Sequence, residues 1–203
     1  MSKDDEKVLV VPASILFEKG RWQGIKSDNI DYYLDLIKNN YQFKRRGDVE
    51  TDPAWKQIIP YIVFSSGGKF FMYTYLSKAG EQRLATSLII GVGGHINETD
   101  VSGEANVLEA GTMREWNEEI DYKGTLIEKK LVGILNDDAR PVEEVHLGLV
   151  YHFVGDSNTI AVKETDTIAG ELLGLKEIEE QIKTNSAGWI GMVWRDYLSK
   201  LSY

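Results

Sequence analysis

Residues 107–120 read VLEAGTMREWNEEI. On a helix of 3.6 residues per turn, Glu115, Glu118 and Glu119 stand at i, i+3 and i+4 and share one face. Val107, Ala110, Met113 and Ile120 fall mostly on another side, suited to a core. Gly111 lies one turn before Glu115 on the carboxylate face. Glycine inside a helix costs about 0.5–1 kcal/mol against alanine, so close approach of a backbone or a ligand is the expected reason for it. Two carboxylates roughly 5 Å apart repel by about 3 kcal/mol at an effective dielectric near 20. A proton, an arginine or a hard cation relieves this. Mg²⁺ favours carboxylate oxygens and keeps its other positions for waters or substrate phosphates. Such an ion can bridge phosphate oxygens and activate a water for attack at phosphorus. Arg114, at i, i+4 from Glu118, is placed to pair with it. Charged helical faces are also commonly just solvated, so the context of the helix has to carry part of the argument.

Working outward, Leu84–Val92 (LATSLIIGV) reads as a strand running into Gly93-Gly94, and the loop INETDVSGEAN leads to the helix. Upstream, Tyr61–Ser65 and Phe70–Leu76 flank Ser-Gly-Gly-Lys, which is hairpin chemistry between aromatic and β-branched runs. Downstream, Leu126–Leu135 and Val145–Val154 read as strands separated by the acidic loop NDDARPVEE. Residues 170–183 and Trp189–Leu201 read as helices. Near the N-terminus, residues 8–17 form an apolar run broken by Pro12. Asn29–Asn39 has helical spacing with Asp28 or Asn29 as cap, and FKRRGDVETDP reads as a loop. Residues 1–55 are expected to form an N-terminal extension packed on the core, and 56–203 the main domain with its C-terminal helix. Strands outnumber helices and alternate with them irregularly, which predicts an α/β (α+β) fold, a mixed β-sheet sandwiched between helices.

The chain has 203 residues, no cysteine and a formal net charge of −9. Its length suffices for a hydrophobic core without staples. The lack of cysteine excludes disulfides, thiolate metal sites and a cysteine nucleophile, and fits a reducing compartment. The first residues make a poor signal peptide, and no run of about 18 apolar residues is present to span a membrane. The expectation is a cytoplasmic protein with no membrane partner. The acidic balance argues against nucleic acid, whose affinity comes from Lys and Arg neutralising phosphates. An acidic chain should also repel a phosphorylated substrate, a conflict that a bound divalent cation resolves locally.

Together with GVGGHIN before it, the helix resembles the Nudix box, G-x5-E-x7-R-E-U-x-E-E-x-G-U with U a bulky aliphatic residue. Arg114-Glu115-Trp116-Asn117-Glu118-Glu119 matches the R-E-U-x-E-E half, and Gly94 follows a strand as the pattern requires. The chain is similar to predicted phosphoesterases of the MutT/Nudix type. The resemblance implies a Nudix fold with Mg²⁺ or Mn²⁺ as cofactor. It also implies Glu115, Glu118 and Glu119 as metal ligands, the Gly94 carbonyl as a further ligand, and Arg114 as the residue orienting a glutamate. Glu118, Glu119 and Arg114 would then be the catalytic set. Three features depart from the pattern. The loop before the helix is longer, with Glu104 or Glu109 near the expected first glutamate. Trp116 replaces the aliphatic residue, and Asp121 stands where glycine ends the helix.

The implied activity is hydrolysis of a pyrophosphate linkage in a nucleoside diphosphate joined to another group, by metal-activated water attack at phosphorus. The competing reading is a non-catalytic Nudix-fold sensor of a nucleotide-like ligand, but the surviving box glutamates favour the enzyme. An isomerase on the same fold would resemble enzymes with an essential cysteine, which is absent here. RNA decapping lacks a visible basic channel, and a homodimer is an allowed assembly. Of the remaining residues, His95 could touch a phosphate or hold the loop by a structural hydrogen bond. His146 and His152 are expected to be core or surface residues, since the three histidines are not spaced as a zinc motif. Glu143, Glu144 and Glu164 are candidate bases or extra ligands. Arg83, Arg140 and the Arg45-Arg46 pair are candidate countercharges, with His95, Glu143, Glu164 and Arg140 the set proposed to meet substrate.

Overall fold

The computed structural model describes residues 2–75, 88–101, 106–163, 168–183 and 187–201. In chain order the elements are β1 (Lys7–Pro12), α1 (Ala13–Leu16), β2 (Gly24–Lys26), α2 (Ile30–Asn40), β3 (Gln42–Arg45), α3 (Arg46–Val49), β4 (Trp55–Ser66), β5 (Lys69–Tyr75) and β6 (Leu88–Ile90). They continue with α4 (Val107–Glu119), β7 (Ile120–Tyr122), β8 (Leu126–Asn136), α5 (Pro141–Glu144), β9 (His146–Gly155), β10 (Ile160–Val162), β11 (Ile168–Leu173), α6 (Leu175–Ile182) and α7 (Trp189–Asp196). The α/β expectation, a mixed sheet with helices, holds. No described helix is long and apolar enough to cross a membrane.

Two compact units divide the chain: residues 1–61, 93–115 and 132–150 form one, and 62–92, 116–131 and 151–203 the other. In the first unit, β1 pairs antiparallel with β3 (Val8 opposite Lys44) and with the start of β4 (Val10 opposite Gln57). β2 pairs with the end of β8, Ile25 opposite Leu135. Val8, Leu9, Val10 and Val11 are all buried, so β1 is apolar on both faces. That explains its continuous apolar run in place of alternation. Pro12 ends the strand at the first turn of α1, as its fixed φ allows. α2 buries Tyr33 and Ile37 at i and i+4. Asn29 begins it in the left-handed region (φ 56°) and turns its amide to Asp28 rather than capping the helix.

In the second unit, the hairpin of β4 and β5 turns at Gly67-Gly68. Both glycines have positive φ, 55° and 76°, as a two-residue primed turn demands. β5 also pairs with β11 and β6, and β7 pairs with β10. Trp116 is 3% exposed, with its ring centroid 5.4 Å from both Phe64 and Phe153. An indole thus fills the core position where the family pattern has an aliphatic side chain. Asp121 needs no glycine because the chain leaves α4 directly into β7, with Asp121 opposite Ala161. His152 is a core residue, as expected. One ring nitrogen meets Ser65 Oγ at 2.8 Å and the other meets the Tyr197 hydroxyl at 2.7 Å.

Two readings of the sequence are corrected. Residues 170–173 are strand rather than the start of a helix, because Gly170 pairs opposite Tyr73 on β5 and a Cβ there would meet the Phe71 ring at 2.3 Å. The helix begins only at Leu175, after Gly174 as cap. Of the segment FKRRGDVETDP, residues 43–49 belong to β3 and α3 rather than to a loop, because β1 supplies a pairing edge that their charged composition conceals. Only Leu88–Val92 of the strand expected over 84–92 falls within the described residues.

Candidate functional site

The segment Gly93–Asn97 is held in the first unit by a different interaction at almost every residue. Gly93 has φ +155°, and a Cβ there would lie 1.8 Å from the Pro60 carbonyl oxygen, so only glycine fits. The Ile96 carbonyl accepts the Leu9 amide at 2.7 Å, extending β1 by one more partner. The Asn97 amide donates to Asp100 Oδ2 at 2.8 Å. A Cβ on Gly94 would meet the Glu115 carboxylate at 2.7 Å. The glycine is therefore the floor on which that carboxylate lies.

Helix α4 starts with Asn106 accepting the Leu108 amide at 3.2 Å. Its next turns carry Arg114 and Glu115. Arg114 Nε donates to Asp100 Oδ1 at 2.7 Å and Nη2 to Asp100 Oδ2 at 2.9 Å, a forked pairing. Its Nη1 donates to Glu115 Oε1 and its Nη2 to the His95 carbonyl, both at 2.8 Å. The hydrogen bonds to Asp100 come first among the causes that raise the Arg114 pKa well above its ordinary value, so it is a permanent cation. Asp100 and Glu115 are only 5% and 8% exposed. One guanidinium thus ties two buried carboxylates and the glycine-rich loop together. Glu115 is a glutamate that Arg114 holds directly. Glu118 and Glu119, in the last turn of the same helix, are exposed.

Gly111 faces something other than the expected reacting groups. A Cβ there would meet Ile96 at 2.9 Å and Asp100 Oδ2 at 3.0 Å. The glycine lets the Asp100 loop lie against the helix. Gly111→Leu should therefore lose stability despite leucine's better helix propensity. Overpacking typically costs about 1–3 kcal/mol, against about 1 kcal/mol gained from propensity. A variant as stable as the wild type in urea titration would show that the loop yields freely.

The other candidates are distributed as follows. Glu143 is 9% exposed. Arg140 donates to its Oε1, while Oε2 is buried without a hydrogen-bond partner among the described residues. Glu144 is half-buried in the same short helix, α5. Arg45 is committed to Asp5 and Asp48, and Arg46 to Glu6 and Glu50. Glu164, Arg83 and Glu104 lie outside the described residues, and Glu109 is exposed in the first turn of α4.

His95 makes a hydrogen bond to β4: Nε2 meets Gln57 Oε1 at 2.8 Å. Sequence spacing gave no sign of its neighbours. The His146 ring lies 5.5 Å away, and one donor atom from each of Glu50, His95 and His146 falls within 4.8 Å of the others.

Burial lowers the pKa of all three histidines, that of His95 to about 3, with the Arg46 charge adding to the effect there. The unfolded chain therefore binds more protons than the folded one below about pH 6.5. The contribution of the neutral rings is complete above that value and is lost as pH falls toward the folded pKa. Between pH 7 and 5, in the presence of a chelator, stability should drop by on the order of 1–2 kcal/mol from His95 alone. His95→Gln and His152→Gln should each shrink the drop in urea midpoint. Equal drops in wild type and variants would refute this origin.

No family model matches the chain. Its fold nonetheless superposes on the crystal structure of Tm1382, itself provisionally assigned as a Nudix hydrolase. The TM-score is 0.81, with 28% identity over 97% of this chain and all of that one. The chain thus has the Nudix fold, and the solved structure it resembles over its full length is one of the Nudix hydrolases. Among curated proteins it is 34% identical over 189 residues to Protein YmaB of Bacillus subtilis (strain 168), covering 89% of this chain and 91% of the relative.

Proposed function

We propose that the protein is a pyrophosphohydrolase, cleaving the pyrophosphate linkage of a nucleoside diphosphate joined to another group, with Mg²⁺ or Mn²⁺ as cofactor. The observation that carries the reading is Glu115: its carboxylate lies on the Gly94 backbone and is held there by Arg114, on the same helix as Glu118 and Glu119. The donor set is all oxygen, from these three glutamates and the Gly94 carbonyl, and suits a hard cation. When bound, that cation would neutralise phosphate charge and make a water more acidic.

The chain's own groups divide the remaining work. Arg114 keeps Glu115 fixed. Glu118 and Glu119 face outward, where a phosphorylated substrate has to arrive. Glu143, with one oxygen held by Arg140 and the other buried without a partner, is suited to take a proton from the attacking water. Elsewhere in the first unit, a cavity of about 430 Å³ is lined by Lys19, Arg21, Trp22, Lys26, Tyr32 and Tyr33. Cations and aromatic rings there suit phosphate and base, and give an acidic protein a local place to hold an anion.

The deciding experiment is a product-release assay with Mg²⁺ across nucleotide sugars, dinucleoside polyphosphates, ADP-ribose, NADH and coenzyme A. Cleavage of at least one class is expected, rising toward alkaline pH and abolished by exhaustive chelation and dialysis. Full activity after metal removal would overturn the cofactor assignment. Binding without release across the whole panel would favour the sensor reading.

A further inference from the structure

We propose that Glu50, His95 and His146 form a second cation site, distinct in chemistry from the glutamate helix, that takes a first-row transition-metal ion of the Zn²⁺ type. The three residues come from separate parts of the first unit. Glu50 follows α3, His95 lies in the glycine-rich segment and His146 opens β9. One donor atom from each lies within 4.8 Å of the other two.

The hydrogen bonds around the rings leave one nitrogen of each histidine available. His95 Nε2 donates to Gln57 Oε1, so the bare lone pair is on Nδ1. His146 Nδ1 donates to the Val142 carbonyl at 2.5 Å, so the bare lone pair is on Nε2. An imidazole whose other nitrogen is tied to a carbonyl-type acceptor is the usual arrangement of a metal-bound histidine, since that bond fixes tautomer and ring orientation. Here both rings have it. Glu50 is oriented by Arg46, whose Nε donates to Oε2 at 3.3 Å and whose Nη2 donates to Oε1 at 3.5 Å. Arg46 lies close enough to oppose a cation, but Glu6 at 3.6 Å shares its charge.

Two imidazoles and one carboxylate make a borderline ligand set, preferred by Zn²⁺, Co²⁺ or Fe²⁺ over Mg²⁺. Three protein ligands leave a fourth position for water or another small ligand. The ion would also join three segments of the first unit through the residue whose carbonyl accepts from Arg114.

The test uses the intact chain, stripped with EDTA and titrated with Zn²⁺ by calorimetry in millimolar Mg²⁺, with Co²⁺ as a visible-absorption probe. One equivalent of Zn²⁺ should bind despite the Mg²⁺, and Co²⁺ should give ligand-field bands that Zn²⁺ abolishes. His146→Gln and Glu50→Gln should each weaken Zn²⁺ binding by at least about tenfold. Glu118→Gln should leave it unchanged, which separates this site from the helix carboxylates. Glu50→Gln, altered at a half-buried helix end, keeps the test open if His146→Gln does not fold. No Zn²⁺ uptake above Mg²⁺, or uptake undiminished in either folded variant, would overturn the proposal whether or not the hydrolase reading stands.

Discussion

Glu118→Gln and Glu119→Gln should each lower turnover by at least about two orders of magnitude, roughly 2.7 kcal/mol in the barrier. The substitution keeps size and hydrogen-bonding capacity and removes one negative charge. The expectation rests on the contrast along α4. Glu115 is buried and held, whereas Glu118 and Glu119 follow at helical spacing and are exposed. Removing one of several like charges on the helix relieves repulsion, so either variant should keep or gain stability in the metal-free protein. Rate and melting temperature measured together separate three readings. A merely solvated face predicts unchanged rates in both variants. A sensor has no wild-type turnover to lose. A variant that is slow because it is poorly folded would show a lowered melting temperature, which the ligand reading does not predict.

How far the sequence could be read follows from the range of the interactions involved. The hairpin turning at Gly67-Gly68 and the helix over 107–119 were legible because periodicity and turn chemistry are local. The glutamate triad was legible for the same reason, as its spacing lies within two turns. The forked pairing of Arg114 was not. It is with Asp100, across a loop whose several acids look alike in sequence. A glycine inside the helix at position 111 signals a close neighbour, but only the fold shows that neighbour to be the loop of Ile96 and Asp100. β11 was hidden because Gly170 reads as a breaker until the Phe71 ring is seen over it. The meeting of Glu50, His95 and His146 has no local trace at all. It depends on β1 pairing with β3 on one side and β4 on the other, and on the Gly93–Asn97 segment joining β1 through the Leu9 amide.

The largest effect on stability should come from Arg114→Met. That change leaves the side chains of Asp100 and Glu115, 4% and 10% exposed, without the cation they share. Removing one member of a buried ion pair typically costs about 3–5 kcal/mol, because the remaining charge is left uncompensated. Here two anions remain, so a value at the upper end is expected, with turnover lost as the loop and Glu115 are released. Part of the loss should be recoverable without restoring the cation. Asp100→Asn on the Arg114→Met background removes one of the stranded charges, and its side-chain oxygen can still accept the Asn97 amide. In the wild-type background the same Asp100→Asn change weakens a forked charge pair and should destabilise. The sign of the Asp100 effect should therefore reverse between the two backgrounds, a coupling that a double-mutant cycle reads directly from urea midpoints. Additive losses in the cycle would mean that Arg114 stabilises the chain through its packing stem alone, and the clamp on Glu115 would then have to be sought elsewhere.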